Sequence, residues 1–467
     1  VTARNARAAA ALLAASLLHA VPAAAGGPED LPRGTLIEKV TCRAAPNQSY
    51  ALYLPPQYTP ERRWPILYAF DARGRAGIPA ERFQQAAAAW GWVIASSYGT
   101  RSDEKNDPSV EAIRAMWADT HERFSLDERR VHMTGFSGMA RLAVALATNA
   151  RGAVAGVIAV GAGFMEGAPP GRDLPFAWFG AAGERDFNYS EMVAVDSLLA
   201  NFERPHRFRG FDGGHEWPPS EVCAEAVAWM EIQAARKGAR PKDDPVLRAL
   251  FRERTAAAEA LAGAGREAEA FRAYDAVARD FETLEDVAAA KARAEGLRKA
   301  PAVRRALREE DRILGVEREE LRKAEAVLRD AMTRPALPVA AEVVDDLKIA
   351  YWRRKAAAEP RTGESSMADR ILANVFVQTS YYLPQRYIER KDFRRAILML
   401  SVATEARPAE PSGWVAMARA QAKNGNVKEA RRALQQALDR GADAGRLRAD
   451  PELAPLMAGE GEKPGGR

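Results

Sequence analysis

Between Leu36 and Arg236 apolar residues fall in short runs, and helix-compatible stretches separate most of them. Eight runs read as strands: LIEKVTC, SYALYLP, WPILYAFD, WVIASSY, RVHMTG, AVAGVIAVGA, PFAWFGAAG and HRFRGFD. Helical patterns lie around residues 80–90, 109–125, 138–149, 189–202 and 219–236. Continuous β-branched and aromatic runs suit strands covered on both faces. Their alternation with helices predicts an α/β domain built on a doubly wound, mostly parallel sheet. No helix separates the first two runs, so the sheet is expected to begin antiparallel.

After KGARPKDDP (Lys237 to Pro245) the pattern turns entirely helical, rich in Ala, Arg, Glu and Leu. This divides the chain into an α/β region at 30–238, helical hairpins at 246–335, a helical connector at 336–390 and repeats at 391–456. A flexible tail is expected over 457–467. KDFRRAILMLSVATEARP from Lys391 and GNVKEARRALQQALDRGA from Gly425 superpose at an offset of 34 residues. The offset places Ala396 on Ala430, Leu400 on Leu434 and Ala403 on Ala437. Small residues at that period let paired helices approach closely, and the pattern resembles the tetratricopeptide repeat. Trp414 and Ala418 fall on that family's large and small packing positions. Gly265, Ala270 and Tyr274 show a fainter version of the same spacing. The resemblance implies a surface for a protein or peptide partner.

Composition changes this picture little. The 467 residues are 47% hydrophobic and 28% charged, with a formal net charge of +5. Bases and acids interleave, as in REEDRILGVEREELRK, which reads as solvated helix faces; nucleic acid is not an expected partner. Arg4 and Arg7 precede an apolar run that ends in Ala23-Ala24-Ala25. That pattern reads as a signal peptide over 1–25, hence a periplasmic or secreted protein with no stable membrane span after its removal. Two cysteines, Cys42 and Cys223, are open to either reading, a disulfide in an exported protein or two buried thiols. Five histidines and two cysteines are scattered without zinc-site spacing, so no metal is expected.

Candidate chemistry centres on GFSGM, Gly135 to Met139, between a strand pattern and a helix pattern. A serine on such a turn suits a nucleophile elbow, and the Gly138 N–H at the helix start suits an oxyanion hole. A base and an acid must follow from later strand ends. His206 enters the strand HRFRGFD and His215 leaves it, so His215 lies on the C-terminal edge where the serine is. Asp186 follows the preceding strand and is the expected acid, with Glu184 in reserve and Asp212 a weaker rival. A second oxyanion donor is expected from the loop after WPILYAF, from the N–H of Ala72 or of Arg73. Asp71 and Trp217 are candidates to line a substrate pocket. Gly161 to Gly167 has the wrong glycine spacing for a dinucleotide fingerprint, and no cofactor is expected.

With YALYLPPQY, WPILYAFDARGRA, HMTGFSGMARLA, GERDFNY and GGHEW, the region resembles α/β-hydrolases of the polyhydroxybutyrate depolymerase and feruloyl esterase group. The resemblance implies metal-free hydrolysis of a small ester or a polyester by Ser137, His215 and Asp186. Met139 departs from it, standing where that group has glycine. The departure predicts altered strand–helix packing behind the serine and a slower or choosier enzyme. It also motivates an alternative, a catalytically inactive hydrolase-fold scaffold working through its helical repeats.

Overall fold

The computed structural model describes residues 31–102, 107–150, 152–165 and 167–457. The signal-peptide reading of 1–25 and the tail residues 458–467 lie outside the described residues.

All eight apolar runs form strands: β1 (Leu36–Thr41), β2 (Ser49–Tyr53), β3 (Trp64–Phe70), β4 (Val93–Ser97), β5 (Leu126–Phe136), β6 (Gly156–Val160), β7 (Ala177–Gly183) and β8 (His206–Phe211). They make one sheet in the order β1-β2-β4-β3-β5-β6-β7-β8. β2 pairs antiparallel with β1 and β4, and every other pairing is parallel. The crossovers carry α1 (Gly77–Trp90), α2 (Ser109–Arg123), α3 (Gly138–Asn149) and α4 (Tyr189–Asn201), and α5 (Ser220–Arg236) follows β8. This topology is that of an α/β-hydrolase.

Alternation along the central strands feeds two cores. Ile66, Tyr68 and Phe70 pack with residues of α2, α3 and α4, whereas Leu67 packs with residues of α1 and α5. Cys42 belongs to the first core and Cys223 to the second, and both are free, buried thiols. Burial, reinforced by the Asp119 charge, pushes the Cys42 thiol up to about 11. Burial likewise raises that of Cys223.

Two compact units divide at Glu309/Glu310, so the helices α6 (Pro245–Gly263), α7 (Glu267–Phe281) and α8 (Ala288–Arg298) belong with the sheet. Asp244 caps α6, accepting the Val246 N–H at 2.8 Å ahead of Pro245 in the first turn. Buried Asp280 of α7 fastens the hairpin. It accepts Trp229 Nε1 of α5 at 2.9 Å and Arg254 Nη1 of α6 at 3.1 Å, and pairs with Arg207 of β8. The faint repeat signal reports real packing here, since Ala270 and Tyr274 are buried.

The second unit is helical. After α9 (Pro301–Thr333), which contributes residues to both units, come α10 (Ala340–Asp346), α11 (Ile349–Ala356), α12 (Gly363–Val377) and α13 (Leu383–Glu389). They are followed by α14 (Phe393–Ala406), α15 (Pro411–Lys423), α16 (Val427–Asp439), α17 (Ala444–Ala449) and α18 (Ala454–Met457). Thr362 and Ser365 form a reciprocal capping box at the start of α12. Every member of the superposed pairs Ala396/Ala430, Leu400/Leu434 and Ala403/Ala437 is buried.

His132 of β5 stands apart within the sheet unit. It is buried against Trp92, ring centroids 4.3 Å apart, and neither ring nitrogen has a hydrogen-bond partner among the described residues. Burial, with the charges of Arg130 and Lys237, lowers its pKa from 6.5 to about 3. Between those values the unfolded chain binds the proton and the folded chain does not. Stability is therefore full above pH 6.5 and falls as the pH drops toward 3. His132→Phe keeps the ring stack and removes the titration. Denaturant unfolding between pH 7 and 4 should show the wild type losing stability faster than the variant, by up to about 1.4 kcal/mol per pH unit. Parallel pH profiles would refute this account.

Candidate active site

Ser137 occupies the single residue between β5 and α3, at φ 58° and ψ −125°. This positive φ is sparsely populated for a residue with a side chain and must be held by its surroundings. The Ser137 N–H donates to Val160 O of β6 at 2.8 Å. Glycine is needed two residues earlier, because a Cβ on Gly135 would lie 2.3 Å from the Met139 carbonyl oxygen. The strand therefore crosses the helix at Gly135, against the backbone of Met139.

The Met139 side chain is buried in the core shared with α2, where Ser109 Oγ contacts its sulfur at 3.7 Å. The atoms nearest a Cβ built on Gly135 are backbone atoms of Met139 and Ala140, so the close crossing is made by backbone.

Ser137, His215 and Asp186 are brought together. Ser137 Oγ lies 2.9 Å from His215 Nε2, and His215 Nδ1 lies 2.9 Å from each oxygen of Asp186. Asp186 is fully buried and its Oδ1 also accepts the Asn188 N–H at 2.9 Å. The imidazole lies between the rings of Phe136 and Phe187, centroids 4.6 and 4.4 Å away. Gly161, at φ 63°, passes beneath: a Cβ there would lie 3.0 Å from Asp186 Oδ2 and 3.2 Å from His215 Cε1. Asn188 Nδ2 donates to the Gly161 carbonyl at 2.7 Å. Gly161 enters the sequence reading only as the start of a glycine run with the wrong spacing for a dinucleotide fingerprint, and Phe187 and Asn188 do not enter it; the Asp-x-Asn spacing in RDFN is the one signal that could have found the last.

The rival groups lie elsewhere. Glu184 is exposed, Asp212 pairs with Arg185, and His206 bonds the Arg204 carbonyl at 2.7 Å at the opposite end of β8.

The Arg73 N–H is engaged by Asp71 Oδ1 at 2.8 Å, so it is not available as an oxyanion donor. The N–H groups of Ala72 and of Gly138, at the α3 N-terminus, have no hydrogen-bond acceptor among the described residues. Both lie on loops that flank Ser137.

Asp71 and Trp217 differ from the pocket-lining expectation. Asp71 is fully buried, Trp217 is 5% exposed, and Trp217 Nε1 donates to Asp71 Oδ2 at 2.8 Å. They face each other, because a buried carboxylate and an indole N–H each need a partner. Burial raises the proton affinity of Asp71, but hydrogen bonds from Arg75, Trp217 and two backbone N–H groups outweigh it and hold the carboxyl below its ordinary range. Arg75, which supplies two side-chain bonds, was missed from sequence.

A tetratricopeptide repeat family model matches residues 387–458. No curated protein matches the chain. Among solved structures, the fluorophosphonate-binding serine hydrolase F of Staphylococcus aureus is 12% identical, covering 43% of this chain and 99% of its own at a TM-score of 0.35. An esterase of Pyrobaculum calidifontis is 14% identical over 50% of this chain and 94% of its own, TM-score 0.36. The feruloyl esterase module of Clostridium thermocellum is 13% identical over 44% and 93%, TM-score 0.31.

Because Met139 fills core volume, restoring glycine should harm the fold. Met139→Gly is expected to cost roughly 3–5 kcal/mol from the lost side chain, the cavity and the weaker helix former. Urea denaturation of the two proteins measures it. An unchanged midpoint would mean the methionine is merely tolerated.

Proposed function

We propose that this protein is a serine hydrolase that cleaves carboxylic esters through an acyl-enzyme. One observation carries the reading: an unbroken hydrogen-bond chain from Ser137 Oγ through His215 to Asp186, built on a serine held at positive φ. Asp186 accepts from Nδ1–H and so fixes the imidazole tautomer that leaves Nε2 free to take the serine proton. Ser137 Oγ then attacks the ester carbonyl, and the developing oxyanion is met by the N–H groups of Ala72 and Gly138. His215 returns the proton to the leaving alcohol. Water, deprotonated by the same imidazole, attacks the acyl-enzyme and releases the acid and free Ser137. No cofactor takes part in these steps.

The helical repeats are assigned an accessory role toward a protein or peptide partner. In support, a groove of about 670 Å³ lies within the second unit, with Val344, Trp414 and Met417 among its lining residues. Export to the periplasm or beyond belongs to the same reading and rests on the residues of 1–25. The scaffold alternative is not carried further, since its motive, Met139, has a packing role that leaves the three side chains aligned.

A fluorophosphonate probe tests the reading. The wild type should be labelled and should hydrolyse short-chain p-nitrophenyl esters, and Ser137→Ala should abolish both while keeping its melting temperature. Equal labelling of the two folded proteins, or none of either, would overturn it.

A further inference from the structure

The Asp71 carboxylate accepts five hydrogen bonds. Oδ1 takes the Arg73 N–H at 2.8 Å, the Arg75 N–H at 3.1 Å and Arg75 Nε at 3.0 Å. Oδ2 takes Arg75 Nη2 at 2.9 Å and Trp217 Nε1 at 2.8 Å. All but the last fold the loop after β3 back on itself. The last crosses to the loop after β8, two residues beyond His215. The indole it holds packs on Phe136, centroids 5.7 Å apart, and Phe136 is the residue before Ser137.

Main-chain bonds complete the clamp. The Asp71 carbonyl accepts the Gly74 N–H at 3.1 Å and Thr100 Oγ1 at 3.0 Å, and the Ala72 carbonyl accepts the Ser102 N–H at 3.0 Å. The N–H groups of Arg73, Gly74 and Arg75 are all consumed. The Ala72 N–H, just ahead of them, has no hydrogen-bond acceptor among the described residues.

We propose that Asp71 is a positioning residue whose two oxygens fix the Ala72 N–H and the His215 loop relative to each other. A single buried carboxylate would then set the oxyanion donor and the general base as one unit. This rests on the serine-hydrolase reading and deepens it. The role requires a carboxylate: an asparagine has one acceptor oxygen and turns an NH2 group toward N–H donors that need an acceptor. The loops are thereby freed from each other while the fold around them persists. A small displacement of pre-organised donors weakens transition-state binding more than substrate binding.

Three variants of the full chain test this. Asp71→Asn should lower kcat on a p-nitrophenyl ester by about 10²-fold, the scale of losing one oxyanion donor, with KM within about threefold. It should weaken an aryl trifluoromethyl ketone, which forms a tetrahedral adduct on the serine, to a similar degree. Trp217→Phe keeps the ring and cuts only the bridge between loops; it should lower kcat about tenfold with KM again little changed. Asp280→Asn is the matched control, another buried carboxylate bonded to an indole N–H, that of Trp229, but outside the candidate site. It should lower the melting temperature and leave kcat unchanged. Folded Asp71→Asn and Trp217→Phe proteins with wild-type kcat and ketone affinity would overturn the proposal, as would effects confined to melting temperature. If Asp71→Asn does not fold, Trp217→Phe decides. A wild type with no Ser137-dependent turnover would instead bring down the hydrolase reading itself, so the two failures are distinct.

Discussion

A strand that becomes a helix across one residue needs that residue at positive φ, and Ser137 takes it at 58°. Such a conformation costs about 1–3 kcal/mol and persists only where the surroundings over-determine it. Here the Ser137 N–H is tied to β6, and the bare Cα of Gly135 admits the backbone of Met139. α3 can therefore begin at Gly138 with that residue's N–H beside the serine. The same turn sets Oγ at 2.9 Å from His215 Nε2. Were it to relax to an ordinary αR or β conformation, Oγ would swing off the imidazole and the helix start would shift with it.

Two buried aspartates beside this turn are handled in opposite ways. Asp71 is saturated by five donors and held ionised, which suits a structural clamp. Asp186 has a sparser set, His215 Nδ1 and one backbone N–H. Its oxygens are thus directed mainly at the imidazole, where in the proposed mechanism they would stabilise the positive form created when the serine proton is taken. A carboxylate already satisfied on all sides would have less to offer a newly charged partner.

Much of this was legible in the sequence because continuous apolar runs have few explanations other than strands buried on both faces. Once strand ends were known, the sheet edge selected His215 over His206, but it could not separate Asp186 from Glu184, which follow the same strand. The Asp71–Trp217 bond was not legible: an aspartate just ahead of loop arginines reads equally as exposed, and the two residues are 146 positions apart. Nor could the pattern choose between the Ala72 and Arg73 amides, because that choice depends on which one the Asp71 side chain captures. The position of Met139 was equally closed to sequence: a motif position shows which side chain departs, not which way it points, and the close crossing at Gly135 is made by backbone. The attachment of α6–α8 to the sheet was hidden as well, since it depends on Asp280 meeting Arg207, Trp229 and Arg254 from three separate elements.

The second unit shows how a periodic sequence limits what it must specify. Within α14–α16 the alanines at 396, 403, 430 and 437 are buried, so close approach of helix axes does much to fix their packing. The non-repeating helices before them lack that recurring pattern. There Arg370 of α12 pairs with Glu317 of α9, both buried, with Nε 3.0 Å from each carboxylate oxygen. A buried ion pair is poor value as net stability, because desolvating both charges offsets most of their attraction. Its effect is directional: any other register of α12 against α9 would leave a charge buried without its partner. The periodic helices can rely on shape to choose their register, whereas the irregular ones rely on a charge that tolerates only one.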